Sequence, residues 1–197
     1  MAVGFSNEEI TRHNRLYQEA CDLLRGEIMV DGQPLPSKPG LFARRRLQKA
    51  ISLFEEVIKM NPDNWGAVFG IAKALQSLGE PNRAFDLMLK AHRGDPNVSG
   101  YAREAGIVAV QLGRFREGIA LAEEAIETRP GDGSLYSNLG LAHLLDGNVG
   151  KGIDAFQRAI ELEPNHPLTP RLLALAKAVQ AGELPQPRSE AEVSKAV

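Results

Sequence analysis

One cysteine, Cys21, is all the thiol the chain carries, so an intramolecular disulfide is excluded and so is a structural zinc site of several thiolates. Long apolar runs are missing too: no stretch approaches the roughly 18–20 consecutive apolar residues needed to span a bilayer. The first nine residues, Met1 to Glu9, lack a basic head followed by an apolar stretch, so no secretory signal is expected. An excess of one charge is also lacking. Twenty-three Lys and Arg stand against 25 Asp and Glu, for a formal net charge of -2, and the broad basic field that nonspecific nucleic-acid binding requires is absent. No credible strand precedes a glycine-rich loop, which removes the usual phosphate-cradling arrangement. The resulting expectation is a reduced, cytoplasmic protein without nucleic-acid partners. Its 197 residues, 43% apolar, suffice for one globular unit with a sizeable core, whereas two domains would be cramped.

What is present is a period. Of 12 prolines, four keep a spacing of 34 residues: Pro62, Pro96, Pro130 and Pro164. Their settings match, as in Asn61-Pro62-Asp63-Asn64 and Arg129-Pro130-Gly131-Asp132. Proline ends a helix, and the polar residues after it can accept from the next helix's free amides. Gly79, Gly113 and Gly147 repeat at the same interval and suit the left-handed backbone that stops a helix. Each unit therefore reads helix, glycine turn, helix, proline turn. Helices of about a dozen residues do not persist alone in water, so stability must come from stacking. Small residues recur in phase, at Ala72, Gly106 and Gly140 on first helices and Ala91, Ala125 and Ala159 on second ones. Large residues, among them Ile71, Leu75, Tyr136, Phe54, Met88 and Phe156, fill the gaps between.

This pattern resembles the tetratricopeptide repeat (TPR). The last unit is the plainest case, with Tyr136-Ser137-Asn138-Leu139-Gly140, then Gly147, Phe156, Ala159-Ile160 and Pro164. The resemblance implies an all-α fold, a right-handed α-solenoid of stacked antiparallel helix pairs. It departs from the family at Gly118 and Gly152, where alanine is usual. Alanine at either position is therefore expected to be neutral or stabilising, by recovering about 1 kcal/mol of helix propensity. Leucine at Gly106 or Gly140 is expected to be costly.

A single domain is expected over 1–182. Its first repeat, 7–64, is irregular: the first helix falls at about 7–25, and an insertion at about 26–42 holds three prolines and two glycines between Asp31 and Gly40. The sharper reading of that insertion has Ile28-Met29-Val30 and Pro34-Leu35-Pro36 packing into the concave face or meeting a partner; the plainer one is a surface excursion. Regular repeats follow at 65–98, 99–132 and 133–166. A capping helix at 168–181 presents Leu172, Leu175, Ala176 and Val179 to the last repeat. The Pro- and Glu-rich remainder, 183–197, is expected to be disordered.

Chemistry is scarce. His13, His92, His143 and His166 fall in different units with no metal-ligand spacing, and Cys21 has no histidine in register to activate it. His143 stands where the family has a large buried aromatic, so a packed ring is expected. The Glu55-Glu56 and Glu123-Glu124 pairs read as solvated helix faces, and so does the basic run Arg44-Arg45-Arg46 with Lys49, whose alternative is a phosphate or acidic-peptide contact. No enzyme activity, metal or cofactor is expected. The resemblance instead implies a concave groove lined by first helices. Its residues would be Phe69, Lys73 and Gln76 in the second unit, Arg103, Ile107 and Gln111 in the third, and Asn138, Leu141 and Leu145 in the fourth, with Arg15, Glu19 and Asp22 less securely placed in the first. Lys73, Arg103 and Asn138 fall short of the full polar clamp with which chaperone-binding members hold a C-terminal carboxylate. The mixture with Phe69, Ile107, Leu141 and Leu145 suits an amphipathic helix or an extended apolar peptide better. The expected role is an adaptor for a partner protein or peptide. The alternative is a structural module that forms a homo-oligomer through the last helix or the insertion.

Overall fold

The helix boundaries follow from local hydrogen bonds. In the computed structural model, which describes residues 6–28 and 39–197, Asn64 caps the helix Trp65–Leu78 by accepting from the Ala67 N–H at 2.9 Å. At its far end Gly79 adopts φ 85°, and the Glu80 N–H turns back to the Leu75 carbonyl at 2.9 Å. The same closure recurs at Gly113 (φ 74°), with Arg114 N–H on Ala109 O at 2.8 Å, and at Gly147 (φ 84°), with Asn148 N–H on His143 O at 2.9 Å. A Cβ resists that left-handed φ, which explains glycine at this point of each repeat.

Among the described residues every regular element is a helix: α1 (Asn7–Leu24), α2 (Leu41–Met60), α3 (Trp65–Leu78), α4 (Pro81–Gly94), α5 (Ser99–Gln111), α6 (Phe115–Thr128), α7 (Gly133–Leu145), α8 (Val149–Leu162), α9 (Thr169–Gln180) and α10 (Glu190–Ala196). Where the sequence led to one domain over 1–182, the contacts divide the chain into two compact units, 1–95 and 96–197. In a repeat stack each helix packs chiefly on its neighbours in sequence, so cohesion does not pool in one core.

In the first unit α1 and α2 run antiparallel, as their cross-links show: Arg12 pairs with Glu56 at 3.5 Å, Glu19 with Lys49 at 2.6 Å and Glu27 with Arg46 at 3.1 Å. Phe54 of α2 is fully buried and meets Tyr17 of α1 edge to face, with centroids 5.6 Å apart. Its ring also lies against Gly70 of α3, where an added methyl would come within 2.5 Å of it. Of the insertion, Met29-Val30 and Pro34-Leu35-Pro36 lie outside the described residues; Ile28 is half-buried.

In the second unit α5 with α6, and α7 with α8, approach each other through paired glycines. A Cβ on Gly118 would sit 3.2 Å from the Gly106 carbonyl oxygen and 2.8 Å from a Val110 methyl. One on Gly152 would sit 3.0 Å from the Gly140 carbonyl oxygen and 3.3 Å from the Leu144 nitrogen. This corrects the expectation that alanine is harmless there. The helices have closed into the space left by two facing glycines, whereas the corresponding positions of the first unit, Ala72 and Ala84, are alanines. Gly152→Ala should therefore lower the melting temperature, because separating two backbones costs more than the ~1 kcal/mol of helix propensity returned. Gly150→Ala, on the same helix with nothing within 4 Å, should be neutral or stabilising. Thermal melts of the two variants side by side decide the point, and a rise for both would refute the close approach.

Residues 183–197, read from composition as disordered, are ordered in the second unit. After α9 the chain turns at Gly182 (φ 74°), Ser189 caps α10 by accepting from the Glu192 N–H at 3.3 Å, and Val193 is buried. Composition undercounts such a segment, because a few well-placed apolar side chains can dock on a surface the fold has already built.

Candidate partner-binding face

The 34-residue period sorts the expected groove residues into phases on the first helices. Lys73, Ile107 and Leu141 share one, Phe69 and Arg103 a second, Gln111 and Leu145 a third. On α9 the first phase continues at Leu175 and the third at Val179.

In the first unit, Phe69 is half-buried on α3, while Lys73 and Gln76 are buried, at 4% and 6% exposure. The Lys73 ammonium donates to Gln76 Oε1 at 3.0 Å, and Gln76 Nε2 and Ser77 Oγ are buried without a hydrogen-bond partner. On α1, Glu19 is turned toward α2 by Lys49 and Asp22 pairs with Arg25 at 3.0 Å, leaving Arg15 exposed. The basic run is partly occupied within the chain: Arg46 and Lys49 hold carboxylates of the α1 side, and Arg44 donates to the Pro39 carbonyl at 3.3 Å.

In the second unit, α5 carries Arg103, whose guanidinium pairs with Glu104 at 3.1 Å, together with half-buried Ile107 and exposed Gln111. On α7, Asn138 and Leu141 are half-buried and Leu145 is buried at 5% exposure. The reachable part of the expected set here is therefore Ile107, Gln111, Asn138 and Leu141. Leu145 belongs to an apolar cluster with Leu172 and Leu175 of α9 and Val193 of α10, against which Leu141, Val179 and Val197 also pack. Sequence reasoning missed Val193 and Val197. The available signal was their four-residue spacing behind a Ser-x-x-Glu start at Ser189 and Glu192.

His143, also on α7, is buried with Nδ1 unpartnered. Burial holds its pKa below the ordinary histidine value, Lys151 adds to this, and Glu123 and Asp146 oppose it, so the ring is neutral near pH 7. A neutral imidazole packs as the aromatic that its position calls for. Burial pushes the Cys21 thiol up, with the Tyr17 hydroxyl acting in the other direction, which keeps it protonated near neutrality. Among the described residues no group of three or more His, Cys, Asp or Glu could hold a metal ion, and no helix is long and apolar enough to cross a membrane.

Sequence models of the tetratricopeptide repeat match residues 41–103 and 103–167. The chain belongs to the tetratricopeptide repeat family. The small glutamine-rich tetratricopeptide repeat-containing protein 2 of Mycosarcoma maydis is 28% identical over 116 residues, 54% of this TPR chain; the chain spans about a third, 33%, of that relative's length. Among solved structures, a MamA chain from Desulfovibrio magneticus RS-1 superposes with a TM-score of 0.72 at 19% identity, covering 94% of this chain and 93% of that one. Pseudomonas aeruginosa pilF gives 0.68 at 16% identity over 97% and 79% of the respective chains. YrrB, described as a TPR protein with an unusual peptide-binding site, gives 0.58 at 19% identity over 72% of both. At these identities the structural likeness carries the fold. A TPR fold is that of a protein-interaction scaffold, whose stacked helical repeats present extended surfaces.

Proposed function

We propose that this TPR chain is an adaptor that holds a partner protein or peptide against the first helices of its repeats, without catalysis, in a reduced cytoplasmic setting. The observation that supports this most is the half-buried apolar pair on the second unit, Ile107 of α5 and Leu141 of α7, at the same phase of successive repeats. Partly exposed aliphatic side chains on rigid helices are the anchors an apolar or amphipathic segment needs. Asn138 and Gln111 stand beside them as polar groups able to meet a peptide backbone. In the first unit Phe69 offers an aromatic contact, whereas Lys73 and Gln76 are buried.

Interface energy concentrates in a few buried anchors, so the double change Ile107→Ser with Leu141→Ser should weaken capture of the partner from native extract at least tenfold. The helical spectrum should be preserved, since both side chains already touch solvent. Reversing Glu123 and Glu124, both exposed on α6, is the matched control and should leave capture intact. Loss of capture on α6 with retention on α5 and α7 would move the site to the second helices and defeat this reading. The self-association alternative is separated by light scattering: a monomer at working concentration removes it.

A further inference from the structure

The last fourteen residues, 184–197, fold back onto the apolar cluster against which Leu141 of the proposed binding face also packs. Leu184 N–H reaches back to the Ala178 carbonyl at 3.3 Å, and the Gln186 amide then donates to the Leu144 carbonyl at the end of α7. Pro187 is buried, the Glu192 carboxylate accepts from the Arg188 N–H at 2.8 Å, and α10 carries Val193 into the cluster that holds Leu145, Leu172 and Leu175. Val197, one turn on, packs against the same cluster, as do Leu141 and Val179. The period decides what this surface is. Leu175, which lines a hollow together with residues 184–188, repeats the phase of Leu141, and Val179 repeats that of Leu145, so the cluster the segment joins includes inner-phase residues of both α7 and α9.

We propose that residues 184–197 are a displaceable internal ligand of this TPR chain: a strap that occupies the apolar inner phase of α7 and α9 and competes for it with a partner segment bearing two aliphatic side chains one helical turn apart. The proposal rests on the adaptor reading for its partner, but not for its occupant. Several features make the strap weak enough to leave. Its helix has seven residues, below the length that persists unaided. Val193 is its one fully buried aliphatic anchor, with Val197 beside it half-buried. Leu184 stays 42% exposed, and a hollow of about 560 Å³ remains between Leu175 and the strap residues Leu184 to Arg188. Burial also pushes the Glu190 carboxyl above the ordinary glutamate value, so docking works against its charge.

The test uses the full chain and a fluorescein-labelled synthetic peptide of residues 184–197 as the probe. In the wild type the tethered strap holds the site at high effective concentration, and peptide added in trans should bind weakly. The double variant Val193→Asp with Val197→Asp should free the surface and bind the peptide at least tenfold more tightly by fluorescence anisotropy. A peptide carrying the same two aspartates should bind neither chain, and Leu141→Ser added to the freed chain should abolish binding. Equal peptide affinity for wild type and double variant, or none for either, overturns the proposal. So does collapse of the helical spectrum in both the double variant and the milder Gln186→Ala, because the strap would then be part of the core. None of these outcomes bears on the adaptor reading, which is judged by partner capture. Capture unchanged by freeing the strap would leave the adaptor standing and refute the competition.

Discussion

Phe54→Ala should destabilise the first unit by about 3–5 kcal/mol, the usual cost of deleting a fully buried phenylalanine whose surroundings cannot collapse. Phe54 is 1% exposed, and its ring is enclosed by three helices: its own α2, Tyr17 of α1 and Gly70 of α3. Tyr17 contributes an edge-to-face contact worth about 0.5–1.5 kcal/mol beyond its area. The rigid backbone at Gly70 can move in only by shifting a whole helix. For a chain of this size about 2–4 °C of melting temperature accompanies each kcal/mol, so a fall of roughly 6–20 °C is expected. Phe54→Leu should recover more than half of it by refilling most of the volume. A melting temperature within 2 °C of the parent for Phe54→Ala would show that the ring is not the keystone of α1, α2 and α3.

Gly140→Leu should be the most damaging change in the second unit, costing about 3 kcal/mol or more. A Cβ alone at this position would lie 2.6 Å from Phe156 Cδ1, and Phe156 is 0% exposed with no outward path. The backbones of α7 and α8 are also close here, the Gly140 carbonyl oxygen lying 3.0 Å from where a Cβ on Gly152 would stand. Gly106→Leu should cost less at its first carbon, because a Cβ there meets only ordinary contacts at 3.4 Å, and more from its outer atoms. A sharper check is coupling. Gly140→Ala and Phe156→Leu should each destabilise, yet their combination should cost at least 1 kcal/mol less than the sum, as the smaller side chain yields space to the new methyl. Strict additivity in chemical denaturation would mean that Gly140 and Phe156 do not share that space.

The two predictions differ in how far sequence alone could reach them. The importance of Gly140 follows from the 34-residue phase, because a small residue repeats there. The intolerance at Gly152 does not, since comparison with a family pattern that has alanine suggests the opposite. Distance decides it: with glycines facing each other, α7 and α8 approach until a Cβ on Gly152 would stand 3.0 Å from the Gly140 carbonyl oxygen and 3.3 Å from the Leu144 nitrogen. Similarly, Lys73, Gln76 and Leu145 occupy phases expected to bind, yet all three are buried, so the reachable residues are Phe69 in the first unit and Ile107, Gln111, Asn138 and Leu141 in the second, where Arg103 is engaged by Glu104. Phase says which way a side chain leaves its helix and nothing about what lies above it.

By itself the sequence determined the helix pairs, their turns and their register. Those depend on interactions within five residues: an Asn64 that caps, a Gly79 that closes a left-handed turn, a proline that cannot continue a helix. Because these signals are written at a fixed interval, each repeat corroborates the next, and the stacking rule follows from short helices that cannot stand alone. The tertiary structure alone decided how close paired helices come, and what covers the end of the inner face. Val193 and Val197 are two aliphatic residues in a polar tail, too few to raise a local signal, and their docking energy exists only once Leu141, Leu145, Leu172, Leu175 and Val179 have been assembled from α7 and α9. A periodic sequence announces what every repeat shares. It is silent on the one segment that occurs once, whose structure depends on a surface made elsewhere in the chain.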